Sequence, residues 1–262
     1  MPPNPPSTID EYKTWLHEER NVKISRITES YFDSIALKVR QDFTNSSFWT
    51  EARSGITSLA QEYHTETGYD LLAGDDKPSL SMKPFDSFLD KTFRRNVVNN
   101  KKWPEEPEDG WLLPHTWFSK INDLVRTTFV VKYLDGVKHL GAWLKKIADD
   151  FDLESKLDYE AKDEGYYAAH FYVYFPCEVP QQDWDTKRET FLIEIQITTQ
   201  IQDVIKNLLH KHYTQHRAKA PTLGLKWQWR YDSDEFAANY LGHILHYMEG
   251  MIMAVRERPK GT

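Results

Sequence analysis

Apolar positions recur with a helical period at both ends of the chain and with a strand-like period in its middle. Thr8 followed by Glu11 has the capping-box pattern and opens a first helix after a loose Pro-rich start. Ile27, Tyr31, Ile35, Val39 and Phe43, spaced by four, predict one face of a second helix. A third runs through SFWTEARSGITSLAQEYHTETG and stops at Gly68. After the loop LLAGDDKPS comes a short extended piece into Lys83, and Pro84 suits the first turn of the next helix. NNKKWPEEPEDGWLLP, rich in Pro and charge, reads as loop. TTFVVKYL, AHFYVYF and TFLIEIQITT are short, apolar and β-branched or aromatic, as strands are. GVKHLGAWLKKIADDF is helical, with Val137, Leu140, Leu144 and Ile147 on one face. IQDVIKNLLHKHY is another helix. In the last, capped by Ser233, Phe236, Tyr240, Ile244, Met248 and Ile252 form a stripe expected to pack as intramolecular core.

This order predicts an α+β protein, a mixed β-sheet flanked by helices. The expected divisions are an N-terminal helical extension over 1–70, a core over 71–220 and a C-terminal helix over 221–262 packed on or extending that core.

Composition narrows the class. In 262 residues, 40% hydrophobic and 14% aromatic content suit a folded globule rather than a disordered chain. The single cysteine, Cys177, excludes an internal disulfide framework and suits a reducing cytoplasm. The start MPPNPPSTIDEY has no signal-peptide core, and no apolar run reaches the length of a membrane span. A net charge of −7 argues against non-specific nucleic-acid binding, although KTFRRNVVNNKK and HKHYTQHRAK are locally basic. A zinc site is not expected, because the ligand spacing is wrong and Cys177 is isolated.

The candidate chemistry lies in the middle. Asp123 stands at the start of one apolar strand and Glu194 inside another, where a carboxylate is costly unless it holds a metal or a proton. Alternation puts Leu192, Glu194 and Gln196 on one face of that second strand. Upstream, Lys83, Ser87 and Lys91 are four apart, with Arg94 and Arg95 just after, so cations gather at a helix start. Cations at a helix start and a strand-borne carboxylate pair are what Mg²⁺-dependent transfer from a nucleoside triphosphate requires.

Four segments, in order, resemble the RelA/SpoT-type nucleotide pyrophosphokinases. SMKPFDSFLDK is similar to that family's phosphate-gripping K-x-x-x-S-x-x-x-K loop. INDLVRTTFVV is similar to its strand with the Mg²⁺-binding aspartate. DYEAKDEGYYAAH resembles its acceptor segment, and IEIQITT followed by LLHKHY resembles its E-x-Q strand and the helix after it. The resemblance covers Ser81 to Tyr213 and implies transfer of pyrophosphate from ATP to the 3′-hydroxyl of a nucleotide. GDP or GTP is the default acceptor, giving (p)ppGpp. It implies Asp123 and Glu194 as catalytic, Mg²⁺-binding carboxylates. Lys83, Ser87, Lys91, Arg94, Arg95 and Arg126 would meet ATP, and Lys162, Tyr166, His170, Gln196 and His210 the acceptor. The chain has no His-Asp dipeptide of the family's hydrolase half, so a small synthetase-only member is expected.

Some positions depart from the family pattern. Ser81 stands where an adenine-stacking arginine is usual, Arg126 is displaced, and Thr198 replaces an arginine. Tyr167-Ala168 replaces Arg-Ser, and Glu160, Asp163 and Glu164 make the acceptor segment acidic. The acidic segment, Thr198 and Tyr167-Ala168 bring in an alternative of the same family, a toxin that modifies the tRNA 3′ end or makes (p)ppApp; the alternative from another class is a catalytically silent nucleotide-sensing or binding protein. The expected partners are a nucleotide acceptor, with tRNA, an antitoxin protein or a second copy as further candidates, and no membrane.

Overall fold

The computed structural model describes residues 4–74, 78–180, 185–206 and 226–257. The chain opens with helices α1 (Ile9–Arg20), α2 (Arg26–Thr44) and α3 (Ser47–Thr67). The short strand β1 (Ser81–Met82) leads into α4 (Phe85–Phe93), which continues as one π-type turn, Arg94–Val98. Next come α5 (Trp117–Lys120), β2 (Val125–Val131), α6 (Leu134–Asp150), β3 (Ser155–Ala161), β4 (Tyr167–Pro180) and β5 (Thr186–Thr199). Residues 200–206 are helical (α7), and α8 (Asp234–Arg256) follows a 3₁₀ turn, Trp227–Trp229. The strands form one five-stranded mixed sheet in the order β1-β2-β5-β4-β3, with β1 antiparallel to β2. This is the α+β class expected. No described helix is long and apolar enough to cross a membrane.

The chain divides into two compact units, and β2, β4 and β5 each give one part to each. The first comprises 1–49, 80–126 and 172–194. Its core is aromatic: Phe32 stacks on Phe88 at 4.5 Å, Phe88 meets Trp117 edge-on at 5.0 Å, and Phe118 meets Phe191. Such pairs add to the area they bury. Tyr12 of α1 is fully buried, and its hydroxyl bonds Thr92 and Asn96. Thr8 caps α1 by accepting from the Glu11 amide, while the Glu11 carboxylate accepts from Ser7. The capping box is thus half formed. In α2 the buried face is Phe32, Ile35, Ala36, Val39 and Phe43. Ile27 is 78% exposed, so the stripe starts a turn later than its spacing predicts.

The second unit comprises 50–79, 127–171 and 195–262. Val137, Leu140, Leu144 and Ile147 of α6 are buried as expected, together with Phe129, Val131, Ile195 and Ile197 of the strands. Gly68, at φ +77, ends α3, its N–H donating to the His64 carbonyl. β3 was not expected; its Leu157, Tyr159 and Ala161 alternate with charged residues.

The final helix is capped by Ser233, which accepts from the Phe236 amide. Its apolar stripe is not core. Tyr240, Leu241, Ile244, Met248, Met251 and Ile252 are 38–53% exposed, whereas the buried positions are Ala238, Asn239, Gly242 and Glu249. Close approach and hydrogen bonding, rather than apolarity, select the inner face.

Candidate functional site

The first unit contains a buried cluster of opposite charges. β1 pairs with β2 in the register Ser81↔Arg126 and Met82↔Val125, and the Lys83 amide donates to the Leu124 carbonyl at 2.9 Å. That register brings Lys83 alongside Asp123. The Lys83 ammonium lies 2.7 Å from one Asp123 oxygen, and Lys91 of α4 lies 2.8 Å from the other. Lys91 also donates to the Asn122 side-chain oxygen at 2.6 Å, and the Asn122 amide reaches the Tyr172 hydroxyl at 3.3 Å. α4 orients Lys91 because Phe85, Phe88, Leu89, Thr92 and Phe93 are buried on its other side.

Burial alone would raise the carboxyl of Asp123. Lys91 and Lys83 outweigh it and hold the group below the ordinary carboxylate range. Lys91 moves below the ordinary lysine value: its burial exceeds the lift from Asp123, while Glu194 also favours its charged form. Glu194, itself buried, thus acts on the same cluster.

Ser87 is exposed on α4. Arg94 is paired with Asp90 at 3.0 Å, and Arg95 donates to the Lys120 carbonyl and pairs with Asp109. Arg126 is exposed on β2. Lys83, Lys91, Asp123 and Glu194 are therefore brought together, while Arg94 and Arg95 are engaged with neighbours of their own. Sequence reading missed Asn122 and Tyr172, whose polar atoms follow no spacing rule.

The second unit gathers four of the residues expected to meet the acceptor. The turn joining β3 to β4 is closed by Lys162 N–H donating to Tyr166 O at 3.0 Å and Gly165 N–H to Lys162 O at 2.9 Å. The Tyr166 hydroxyl bonds the Gln196 amide and lies 3.1 Å from His170 Nε2. Gln196 Oε1 accepts from Thr128 and from Lys206 of α7. Lys162 sits 5.2 Å from the Tyr166 ring centre and 3.0 Å from Glu160, which is 3.6 Å from His170. His170 and Gln196 are buried. The segment Ile193 to Thr199 of β5 is buried at every position, Glu194 and Gln196 included. Lys206 was missed, its only signal being a cation seven residues past the strand end. His210 lies outside the described residues. A cavity of about 470 Å³ in this unit, lined by Tyr159, Tyr167, Thr199, Gln202 and His246, has none of Tyr166, His170 and Gln196 in its wall.

The chain is a mixed α+β protein with buried cations on a strand-borne carboxylate, and its fold is similar to that of solved small alarmone synthetases. The chain matches a GTP pyrophosphokinase family protein from Streptococcus pneumoniae with a TM-score of 0.55 at 15% identity, over 89% of this chain and 95% of that one. It matches small alarmone synthetase 1 from Bacillus subtilis with a TM-score of 0.51 at 13% identity, over 79% and 89%. The same enzyme bound to its product pppGpp matches with a TM-score of 0.51 at 13% identity, over 79% and 90%. No family model and no curated protein matches the sequence.

Proposed function

We propose that this chain transfers pyrophosphate from ATP to the 3′-hydroxyl of a nucleotide, with GDP or GTP as the acceptor. The observation that carries the reading is the buried Lys83–Asp123–Lys91 cluster beside Glu194. Two ammonium groups held against a carboxylate in a low-dielectric site are costly as pure structure and suit the β- and γ-phosphates of ATP. The fold shared with alarmone synthetases supports the same reading.

Asp123 and Glu194 are a donor set that fits Mg²⁺, which takes one or two carboxylates and completes its shell with phosphate oxygens and water. Described residues hold no group of three or more acidic, His or Cys side chains suited to a metal, and this ion needs none. When bound it would neutralise charge developing on the phosphates. The protein's own part is then positional. Lys83 and Lys91 orient and neutralise the donor, Tyr166 stacks on the acceptor base, and Gln196 and His170 fix the Tyr166 hydroxyl. Glu194 takes the proton of the attacking hydroxyl.

Incubation with γ-³²P-ATP and separately GDP, GTP, ADP, ATP or deacylated tRNA, with and without EDTA, tests this. Labelled product from GDP or GTP that EDTA abolishes is expected. Label on adenosine nucleotides or tRNA would move the chain to the toxin-like reading. No label on any acceptor, with nucleotide binding retained, would leave a sensing protein. For partners, we infer that the outer face of α8 pairs with the same face of a second copy. Leu241, Met248 and Val255 recur every seven residues with Ile244 and Met251 between them, a self-complementary seam.

A further inference from the structure

We infer that α8 positions the acceptor site from behind, with Gly242 and His243 fixing the turn that carries Lys162 and Tyr166, and Glu249 fixing the start of α7. The inference rests on the acceptor reading of Tyr166 given above.

The turn and the helix interlock through two glycines. Gly165, at φ +76, is buried against α8; a Cβ there would meet the Asn239 carbonyl at 2.4 Å and the His243 amide at 3.0 Å. A Cβ on Gly242 would meet the Gly165 carbonyl at 2.3 Å. Neither position tolerates a side chain unless the backbone moves, so the turn is seated directly on the helix. Gly250 of the same helix has nothing within 4 Å of its Cβ position, so this seat is local.

His243 adds two directional bonds. Its Nε2 lies 2.9 Å from the Asp163 carbonyl and its Nδ1 lies 2.8 Å from the Tyr167 hydroxyl. A carbonyl only accepts, so Nε2 carries a proton and donates to Asp163, while Nδ1 meets the Tyr167 hydroxyl. The Tyr167 ring also stacks on His246 at 3.7 Å, 9° from parallel. Tyr166 directly precedes Tyr167 in the chain, so holding Tyr167 on α8 limits how far Tyr166 can move from Gln196 and His170.

Nearly two turns beyond His243, the buried Glu249 accepts from Thr199 Oγ1 and, at 3.3 Å, from Gln202 Nε2. These residues form the junction of β5 with α7, and α7 carries Lys206 to Gln196. A buried carboxylate is costly to desolvate. Here it ties down the second element that supplies the acceptor cluster.

The test uses the full chain and the variants His243→Ala, His243→Gln, Gly242→Ala and, as control, Gly250→Ala. Steady-state constants for GDP and ATP are read alongside amide exchange over residues 162–167. The expected result is a KM for GDP raised about tenfold or more in His243→Ala and Gly242→Ala. The KM for ATP stays unchanged, exchange accelerates only in the turn, and Gly250→Ala is like wild type. His243→Gln, which can still donate to Asp163 and accept from Tyr167, should recover most of the loss. An unchanged GDP constant in His243→Ala, or GDP and ATP constants that rise together, would overturn the inference. If the wild type transfers to no nucleotide, the functional reading fails. Amide exchange then decides alone whether His243 holds the turn, with unaltered protection in His243→Ala refuting it.

Discussion

Asp123 shows how one buried carboxylate organises its surroundings. Both its oxygens carry an ammonium, so removing Lys83 leaves the charge half compensated by Lys91. Lys83→Ala should therefore cost less than the roughly 3–5 kcal/mol typical of an orphaned buried charge. It should raise the ATP requirement and lower turnover, and ATP titration with constants like wild type would remove Lys83 from the donor site. Asp123→Asn and Glu194→Gln keep shape and lose charge, and each should lower turnover by on the order of 3 kcal/mol of barrier, about a hundredfold. A second titrating pair has no part in that chemistry. Burial, reinforced by Asp42, pushes the Cys177 thiol up to about 12, and burial with Asp135 nearby does the same to the Tyr63 phenol. Unfolded, these groups ionise near 9 and 10, so above those values the unfolded chain binds fewer protons than the folded one. Their contribution to stability is complete below about pH 9 and is lost as pH rises towards 12. Melting temperatures from pH 8 to 11 should fall, less steeply in Cys177→Ala, and the native thiol should resist alkylation at pH 8. Lys83, Lys91 and Asp123 were legible in the sequence because charge at an apolar strand is conspicuous. Asn122, Tyr172 and Lys206 were not, because only the tertiary meeting of strands and helices gives them partners.

At the scale of elements, periodicity located most helices and strands because burial on one side imposes it. It failed in two instructive places. In β3 the alternation of Leu157, Tyr159 and Ala161 is diluted by Lys156, Asp158 and Glu160, so charge density masked a period of two. In α8 the apolar stripe was read as core, yet the helix buries small and polar residues that the glycine seat and the Glu249 bonds require. Arg256 completes that inner face, bidentate to Asp135 and within 4.2 Å of the Tyr69 ring centre. Between Glu235 and Arg256 the only acidic or basic residue besides histidine is the buried Glu249, so the outer face carries no such charge. An exposed face of this length without charge is unusual on a monomer. Sedimentation velocity should show a species heavier than one chain. Ile244→Glu with Met251→Glu should return it to monomer without loss of helicity. A wild type that sediments as monomer at micromolar concentration would rule out the pairing.

For the molecule as a whole, the charge distribution bears on the proposed acceptor. The chain carries −7 overall, and the acceptor turn presents Asp163 and Glu164 to solvent with Glu160 beside them. Repulsion from this acidic turn grows with the number of phosphates an acceptor carries, which favours a mononucleotide over a long polyanion. Lys102 is already 3.5 Å from Glu108, and Arg217 and Lys219, in the other basic stretch, lie outside the described residues. A tRNA held through several phosphates would lose affinity steeply with salt, by about 0.7 power of concentration per neutralised phosphate on a single strand. Pyrophosphate transfer to GDP should therefore change little between low and moderate salt. Replacing Lys101, Lys102, Arg217 and Lys219 together with Glu should leave it largely intact. If that quadruple variant loses transfer while its ATP binding and melting temperature persist, the small-nucleotide acceptor is wrong, and a tRNA-modifying activity accounts better for those four cations.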